Sequence, residues 1–588
     1  MLEENQFSPA EQASLECLEK VFNAIDNDNN FRVEAGAGAG KTYTLIKALK
    51  HLIAKNEIDY QKTGKKIACI TYTNVARDEI RSRTDNHPIV LADTIHAFAW
   101  QVIQSFQKSL RERIGNLGEK WMNRIEEAGG IKKQQVIYSL GYPKITESEI
   151  FLHHNDVIKL FTSLLSDMKF KRIFLTRYPV LLIDEYQDTN KDLATAIVTN
   201  FIQTNRGPLV GLFGDHWQKI YGTESCGLIE AEEQNLIVIG KRANFRSDKL
   251  IVGALNKMRP ELTQFEYDPS SLGEILVFHS NRWQGQRRIG GHWAGDLPPD
   301  VAHNALEKVK NRLSEQGWSL EPGKTKILML TNNVLAAEQG YQTIASLFSD
   351  NDEYLKKKDD YIAFLTDTIE VGSEAFEQRK YGTMADTFRI NTGVIRKHSD
   401  KRSWHESMMR LNELRRNYTI GDVIDHLKET NKPRLTRRIE EKEKRIKDIS
   451  AVSEEDRSEE DKRLFSKVMS IRSIPYTEIS NVARYIEDKT LYSTKHGVKG
   501  AEFENVIVVL GRGWNQYNWS QFLEFVRAGP ISATNKDSFE RNRNLFYVAC
   551  SRARKRLCLL FTQELSSEAI LTLQDWFGDV IDDNLFES

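Results

Sequence analysis

Short apolar runs alternate along the chain with longer segments of helical spacing. Runs at 66–71, 179–184, 208–215, 236–239, 326–331, 505–510 and 556–561 are almost wholly apolar and end at polar or glycine-rich turns. Runs of this length without strict alternation predict strands buried on both faces, as in parallel sheets whose strands are separated by helices. They fall into two groups, divided near residue 240. The pattern predicts an α/β fold with two tandem parallel-sheet cores.

Two stretches break this rhythm. Residues 89–175 show helical spacing and little strand signal, and residues 351–484 are dense in charge, with EEKEKRIKDISAVSEEDRSEEDKRL at 440–464. Both are expected to be mainly helical insertions, the second containing a solvated helical hairpin. The first core is then 1–88 with 176–235, interrupted by 89–175. The second is 236–350 with 485–588, interrupted by 351–484. The loop NRWQGQRRIGGHWAGDLPPD at 281–300 mixes Arg282, Arg287 and Arg288 with Trp283 and Trp293. It reads either as a mobile connection or as a grip on single strands through phosphate contact and base stacking.

Composition narrows the function classes. At 588 residues the chain is too long for one core, and roughly four structural units are expected at about 150 residues each. A net charge of -1 excludes bulk polycationic binding, so any nucleic-acid contact must be local. The five cysteines are scattered without a CxxC pair, which argues against a zinc ribbon, an iron-sulfur cluster or a disulfide framework. The start MLEENQFSPAEQ has no basic, apolar leader, and no run approaches a membrane span, so a cytoplasmic location is expected.

Two strings carry the chemistry. In AGAGAGKT the small residues Ala35, Gly36, Ala37, Gly38, Ala39 and Gly40 let backbone N–H groups curl around phosphate oxygens at a helix N-terminus. Lys41 is placed to neutralise the β/γ-phosphates of ATP and Thr42 to offer a hydroxyl to Mg²⁺. About 140 residues on, LLIDEYQDTN delivers Asp184 and Glu185 to a strand's carboxyl end. There Asp184 can hold Mg²⁺ and Glu185 can polarise an attacking water, the arrangement of phosphoryl transfer to water.

With DEYQD in view, the chain resembles a superfamily 1 DNA helicase of the UvrD/Rep type along most of its length. Gln12 in FSPAEQ resembles the adenine-reading glutamine of that family. Tyr72 and Asn74 in TYTN, and His96 in TIHAF, resemble its first strand-contacting motifs. GLFGDHWQKIYG resembles the motif coupling ATP to DNA, with Gln218 sensing the γ-phosphate and Tyr221 facing DNA. NFRS places Phe245 on adenine and Arg246 at the γ-phosphate. STKHGVKGAEF places His496 near DNA and Glu502 near the ribose, and RNLFYVACSRARKRL offers Arg552 as an arginine finger. The resemblance implies RecA-like cores, hydrolysis of ATP in the cleft between them, and 3′ to 5′ movement on single-stranded or tailed duplex DNA.

Two departures stand out. After IYG the family usually continues with WRGA, whereas TESCG follows here, so the stacking tryptophan is missing. Trp217 in DHWQ is either its replacement on DNA or a core residue. The second insertion is also short. Two functions are therefore carried forward: a DNA translocase or helicase, and a DNA-sensing ATPase subunit that serves a partner nuclease, as in Gabija-like phage-defence systems pairing a UvrD-like protein with an OLD-family nuclease.

Overall fold

The structure, a computed structural model, describes residues 7–579 other than 140, 205–206, 221, 223, 292, 330–331, 391–394, 396, 495–499 and 513–516. By packing, the chain divides into two units. The first takes the chain as far as Leu276 together with Gln521–Leu557 and the segment from Ser567; the second takes Val277–Ser520 and Cys558–Ser566.

In the first unit the strands β1 (Phe31–Ala35), β2 (Ile67–Thr71) and β3 (Val90–Thr94) come first. Within the first inserted segment follow β4 (Gln135–Tyr138), β5 (Lys144–Ile145) and β6 (Glu149–Leu152), and then β7 (Val180–Asp184), β8 (Leu209–Gly214) and β9 (Ile237–Lys241). The main sheet has the order β3-β2-β7-β8-β1-β9, with every neighbouring pair parallel. The runs IACIT, VLLID and LVGLFG are buried along their whole length, as continuous apolar strands of a two-sided parallel sheet must be. β1 escapes the apolar-run criterion because FRVEA carries two charges, yet it is equally buried. Because the strands are parallel, their carboxyl ends share one edge, which brings the loops after β1, β2, β7 and β8 to the same side.

The segment 89–175 is not purely helical. Its first residues supply the edge strand β3, and β4, β6 and β5 form a small sheet of their own. QVIY and EIFL are four-residue strands, too short for periodicity to separate from helical spacing. β10 (Ala243–Asn244) and β11 (Phe265–Glu266) then make a short parallel pair in the first unit.

The second sheet contains β12 (Glu274–His279), β13 (Thr325–Met329), β14 (Tyr492–Thr494), β15 (Phe503–Leu510) and β16 (Ala553–Phe561), in the order β12-β16-β15-β13-β14. β13 runs parallel to both β14 and β15. The expected charged hairpin is present as helices Arg437–Ser450 and Glu459–Ser473. Ile439, Glu443, Ile446 and Ile449 form its buried stripe, and Arg445 bridges to Asp461 at 3.0 Å. The fold class is thus α/β, as the sequence pattern predicts. All five cysteines are free, four of them buried. Among the described residues no helix is long and apolar enough to cross a membrane.

Candidate active site

The loop between β1 and the helix Lys41–Thr63 is shaped by backbone geometry. Gly38 and Gly40 both sit at φ 74°, a left-handed conformation that a side chain disfavours. At Gly38 a Cβ would also come within 2.7 Å of the Asn244 Oδ1. Ala35 closes β1 in ordinary strand geometry, so alanine is tolerated at the first position of the motif. Ala37 and Ala39 are buried, and the Ala37 N–H donates to the Tyr547 hydroxyl at 3.3 Å.

At the mouth of this loop Lys41 Nζ lies 3.2 Å from Asp184 Oδ1 and 2.5 Å from Glu185 Oε1. Burial alone would lower the pKa of the Lys41 ammonium, but the two carboxylates outweigh it and raise it, so the lysine stays charged. Asp184 Oδ1 is buried and accepts no hydrogen bond among the described residues. A buried carboxylate oxygen held by an ion contact suits a hard divalent cation with oxygen ligands, and the half-buried Thr42 next to Lys41 in the chain adds a hydroxyl. The residues fit Mg²⁺, which Thr42 and Asp184 would hold and which would neutralise charge on the phosphates.

Glu185 adopts φ 50° and ψ 44°, rare for a residue with a side chain and characteristic of strained functional positions. Its carboxylate accepts from Gln187 Nε2, whose Oε1 in turn accepts from the Asp215 N–H at 3.1 Å. Gln218 Nε2 donates to Asp215 Oδ2 at 2.9 Å. Gln187 therefore ties Glu185 to the loop carrying Gln218. It stands within the DEYQD string, but a role for it depends on β7 and β8 being neighbours.

A further arm closes on the loop from residues 241–267. Asn244 Nδ2 and Gln264 Nε2 both donate to the Ala37 carbonyl at 3.2 Å, and the Phe245 N–H donates to the Gly38 carbonyl at 2.9 Å. These bonds hold the Ala37 and Gly38 carbonyls on this side of the loop. Phe245 is 40% exposed beside Gly40, and its ring lies 5.8 Å from that of Tyr267, an aromatic partner no motif announced. Lys241 is fully buried, with Nζ 3.1 Å from the Gly40 carbonyl, and burial pushes its pKa down to about 8. Gln12 is exposed on the helix Pro9–Asp26 and lines a cavity of about 720 Å³ with Gly240 and Phe265.

Two guanidiniums complete the constellation. Arg246 packs its Cβ against Gly38 and donates from Nη1 to the Ser551 carbonyl at 3.0 Å. Arg552 is 1% exposed and donates to the Val548 carbonyl and the Ser551 hydroxyl at 3.0 and 3.1 Å. Burial, reinforced by the neighbouring Arg246 charge, pushes the Arg552 pKa down to about 9. Two cations fixed this close to the glycine-rich loop are able to stabilise an anion bound there.

Behind the loop lies a buried charge network. Arg259 reaches Asp215 Oδ1 at 2.6 Å and Glu34 Oε1 at 3.1 Å, while Tyr186 donates to Glu34 at 2.6 Å and His216 contacts it at 2.7 Å. Burial works against the Glu34 charge, but His216 and Arg259 prevail and hold its carboxyl down to about 2. Glu34, Asp215 and His216 lie close enough to share a metal ion, yet Arg259 already supplies the cation.

This network favours the core alternative for Trp217 over a place on DNA. The indole is 7% exposed, with the Arg543 guanidinium 4.3 Å and that of Arg259 5.1 Å from its ring centroid and Tyr547 edge-on at 5.4 Å. A ring so enclosed has no face for a base. Trp217→Ala is expected to cost about 3–5 kcal/mol of stability, as other buried aromatic truncations do, with single-strand affinity unchanged. Chemical denaturation alongside oligonucleotide titration checks this; weaker DNA binding at full stability would restore the stacking role.

Of the other strand-contact candidates, Asn74 is exposed at the start of the helix Asn74–Arg83, capped by Thr73. Tyr72 is half-buried against the core, with its hydroxyl buried. The His96 ring stacks on His154 at 3.3 Å, and His154 pairs with the Tyr138 hydroxyl at 2.6 Å. Burial, with His154, lowers the His96 pKa to about 4, so a contact from His96 to phosphate is a neutral hydrogen bond rather than an ion pair. Tyr221 and His496 lie outside the described residues. Glu502 is exposed just before β15, in the second unit.

Residues 19–224 match the AAA domain family. Fold and comparisons together support a UvrD/Rep-like superfamily 1 helicase, an ATPase of the helicase class. Among individual relatives the chain is similar to the Gabija protein GajB of Bacillus cereus (strain HuB5-5), at 24% identity over 96% of this chain and 97% of that one. It is also similar to the ATP-dependent DNA helicase Rep of Buchnera aphidicola subsp. Schizaphis graminum (strain Sg), at 22% identity over 90% of each. The ATP-dependent DNA helicase PcrA of Leuconostoc citreum matches at 24% identity over 38% of this chain and 36% of its own.

Proposed function

We propose that the protein couples ATP hydrolysis to 3′ to 5′ movement along single-stranded DNA. The observation carrying this reading is the convergence of Lys41, Asp184, Glu185, Arg246 and Arg552 around one glycine-rich loop. Lys41 binds the β/γ-phosphates and Glu185 orients water for attack. Arg246 and Arg552 hold the charge that develops on the transferred group. Gln187, Asp215 and Gln218 relay the state of that site to the segment ending at Tyr221, where a strand would be sensed. Phe245, Tyr267 and Gln12 receive the nucleoside.

The similarity to a Gabija protein along nearly the whole chain favours a second reading. In it the same ATPase is an antiviral-defence subunit that senses DNA and assists a partner nuclease, with little unwinding alone. The two are separated by one pair of assays on the purified chain. DNA-stimulated ATPase with strand displacement supports the translocase; DNA-stimulated ATPase without displacement, restored to function by a nuclease partner, supports the defence subunit.

A further inference from the structure

The described residues of the arginine and tryptophan loop after β12 are tied down. The Arg288 N–H donates to the Asp296 carbonyl at 3.0 Å and the Gly295 N–H returns to the Arg288 carbonyl at 3.1 Å, closing the loop on itself. The Glu564 N–H donates to the Gly295 carbonyl and Leu297 N–H to the Thr562 carbonyl, pinning it to the chain just after β16. Arg287 Nη1 adds bonds to the Ser280 hydroxyl and the Gly295 carbonyl, each at 3.2 Å. Arg287, Arg288 and Gly295–Leu297 are thus held in place.

What it shapes is a cavity of about 260 Å³ in the second unit, at the ends of β13 and β15. Those two strands are parallel, and the pocket touches Met329 and Gly511 at their carboxyl ends, where open α/β sheets take ligands. At roughly 300–1,000 Å³ for sites that enclose a whole drug-sized ligand, this pocket suits a single ring system.

Its chemistry is graded from floor to rim. Asp296, Leu306, Met329 and Thr562 are nearly fully buried and form the floor. Arg288 and Trp293 stand half-exposed at the rim, with the guanidinium 4.1 Å from the ring centroid. The Asp296 carboxylate accepts from the Thr562 hydroxyl at 2.7 Å, the Arg512 N–H at 3.0 Å and the Leu297 N–H at 3.1 Å. A carboxylate offers about four lone-pair positions, so it can take one more donor. Glu338 adds a second acceptor group, its other business being a 2.7 Å contact with His303. Acceptor groups in the interior disfavour a buried anion, while a flat, neutral ring bearing an N–H or amino donor is accepted, with its anionic tail left to Arg288.

We propose that this pocket binds a nucleobase, with Trp293 as its stacking surface and Arg288 on the attached phosphate. The inference rests on the DNA-motor reading for its preferred source, one unstacked base of a single strand; a free nucleotide presents the same chemistry.

The test uses the full chain and a fluorescent single-stranded oligodeoxynucleotide. Trp293→Ala is expected to weaken binding about five- to 150-fold, the range for losing one stacked base. Arg288→Gln should lower the slope of log affinity on log salt by about 0.7, the loss of one phosphate contact. In the unaltered protein, an iodouracil-substituted oligonucleotide should photocross-link to Trp293, read by peptide mass spectrometry. Cross-linking by the oligonucleotide alone assigns the pocket to a strand, and equal cross-linking by iodo-dUMP assigns it to a free nucleotide. Strand binding by the unaltered protein with both variants unchanged and no cross-link overturns the pocket while sparing the motor. Absence of any strand binding overturns both.

Discussion

Arg552→Ala is expected to slow ATP turnover by about three orders of magnitude or more, the scale of arginine-finger losses, while nucleotide affinity stays close to that of the unaltered chain. The reason is geometric. Arg552 is held by the Val548 carbonyl and the Ser551 hydroxyl, and Arg246 is held by the carbonyl of that same serine. Both arginines are therefore already held in place. Their mutual repulsion in a buried site is relieved most by the phosphoryl group when its charge is greatest, so the benefit falls on the transition state more than on bound ATP. Steady-state kinetics with a fluorescent-nucleotide titration separates the two quantities. Equal losses of binding and turnover would move Arg552 from the reaction to nucleotide capture.

Glu185→Gln should reduce turnover by about 10²–10⁴-fold, the usual worth of a positioned general base, again with ATP binding retained. The substitution keeps the side chain's shape and its capacity to meet Gln187, but removes the basic oxygen and the closest ion contact of Lys41. Lys41 keeps Asp184 at 3.2 Å, so the phosphate grip survives. Single-turnover quench measurements check this directly. If Glu185→Gln hydrolyses ATP at the original rate, water activation lies with another group and the strained geometry of Glu185 needs a different explanation.

What could be read from the sequence divides along a physical line. The phosphate loop and the DE pair are local: their function follows from a few consecutive residues and the strands that deliver them. β7 and β8 were equally legible, because a strand buried on both faces leaves an uninterrupted apolar run. β1 was not, since Arg32 and Glu34 are buried only by virtue of partners more than 150 residues away, Tyr186, His216, Ile229 and Arg259 among them. The same holds for Gln187, Tyr267 and Lys241, whose contacts exist only once the chain has folded distant segments together. For Trp217 the sequence left two readings open, a base platform and a core residue, and the two arginines and the tyrosine around the ring favour the second.

The loop at 281–300 illustrates a third case. Its composition suggested either mobility or a grip on a strand, and composition cannot decide between them. The backbone bonds to Thr562 and Glu564 show that the loop is tied down, and they were not legible because they come from a strand end that lies over 260 residues later in the chain.

Strand displacement on a 3′-tailed DNA duplex, in ATP and Mg²⁺, tests the central claim most directly. The unaltered protein is expected to release the displaced strand, to fail on the same duplex with a 5′ tail, and to lose the activity entirely in Lys41→Ala. DNA-independent ATP hydrolysis with no displacement from either substrate would contradict the account.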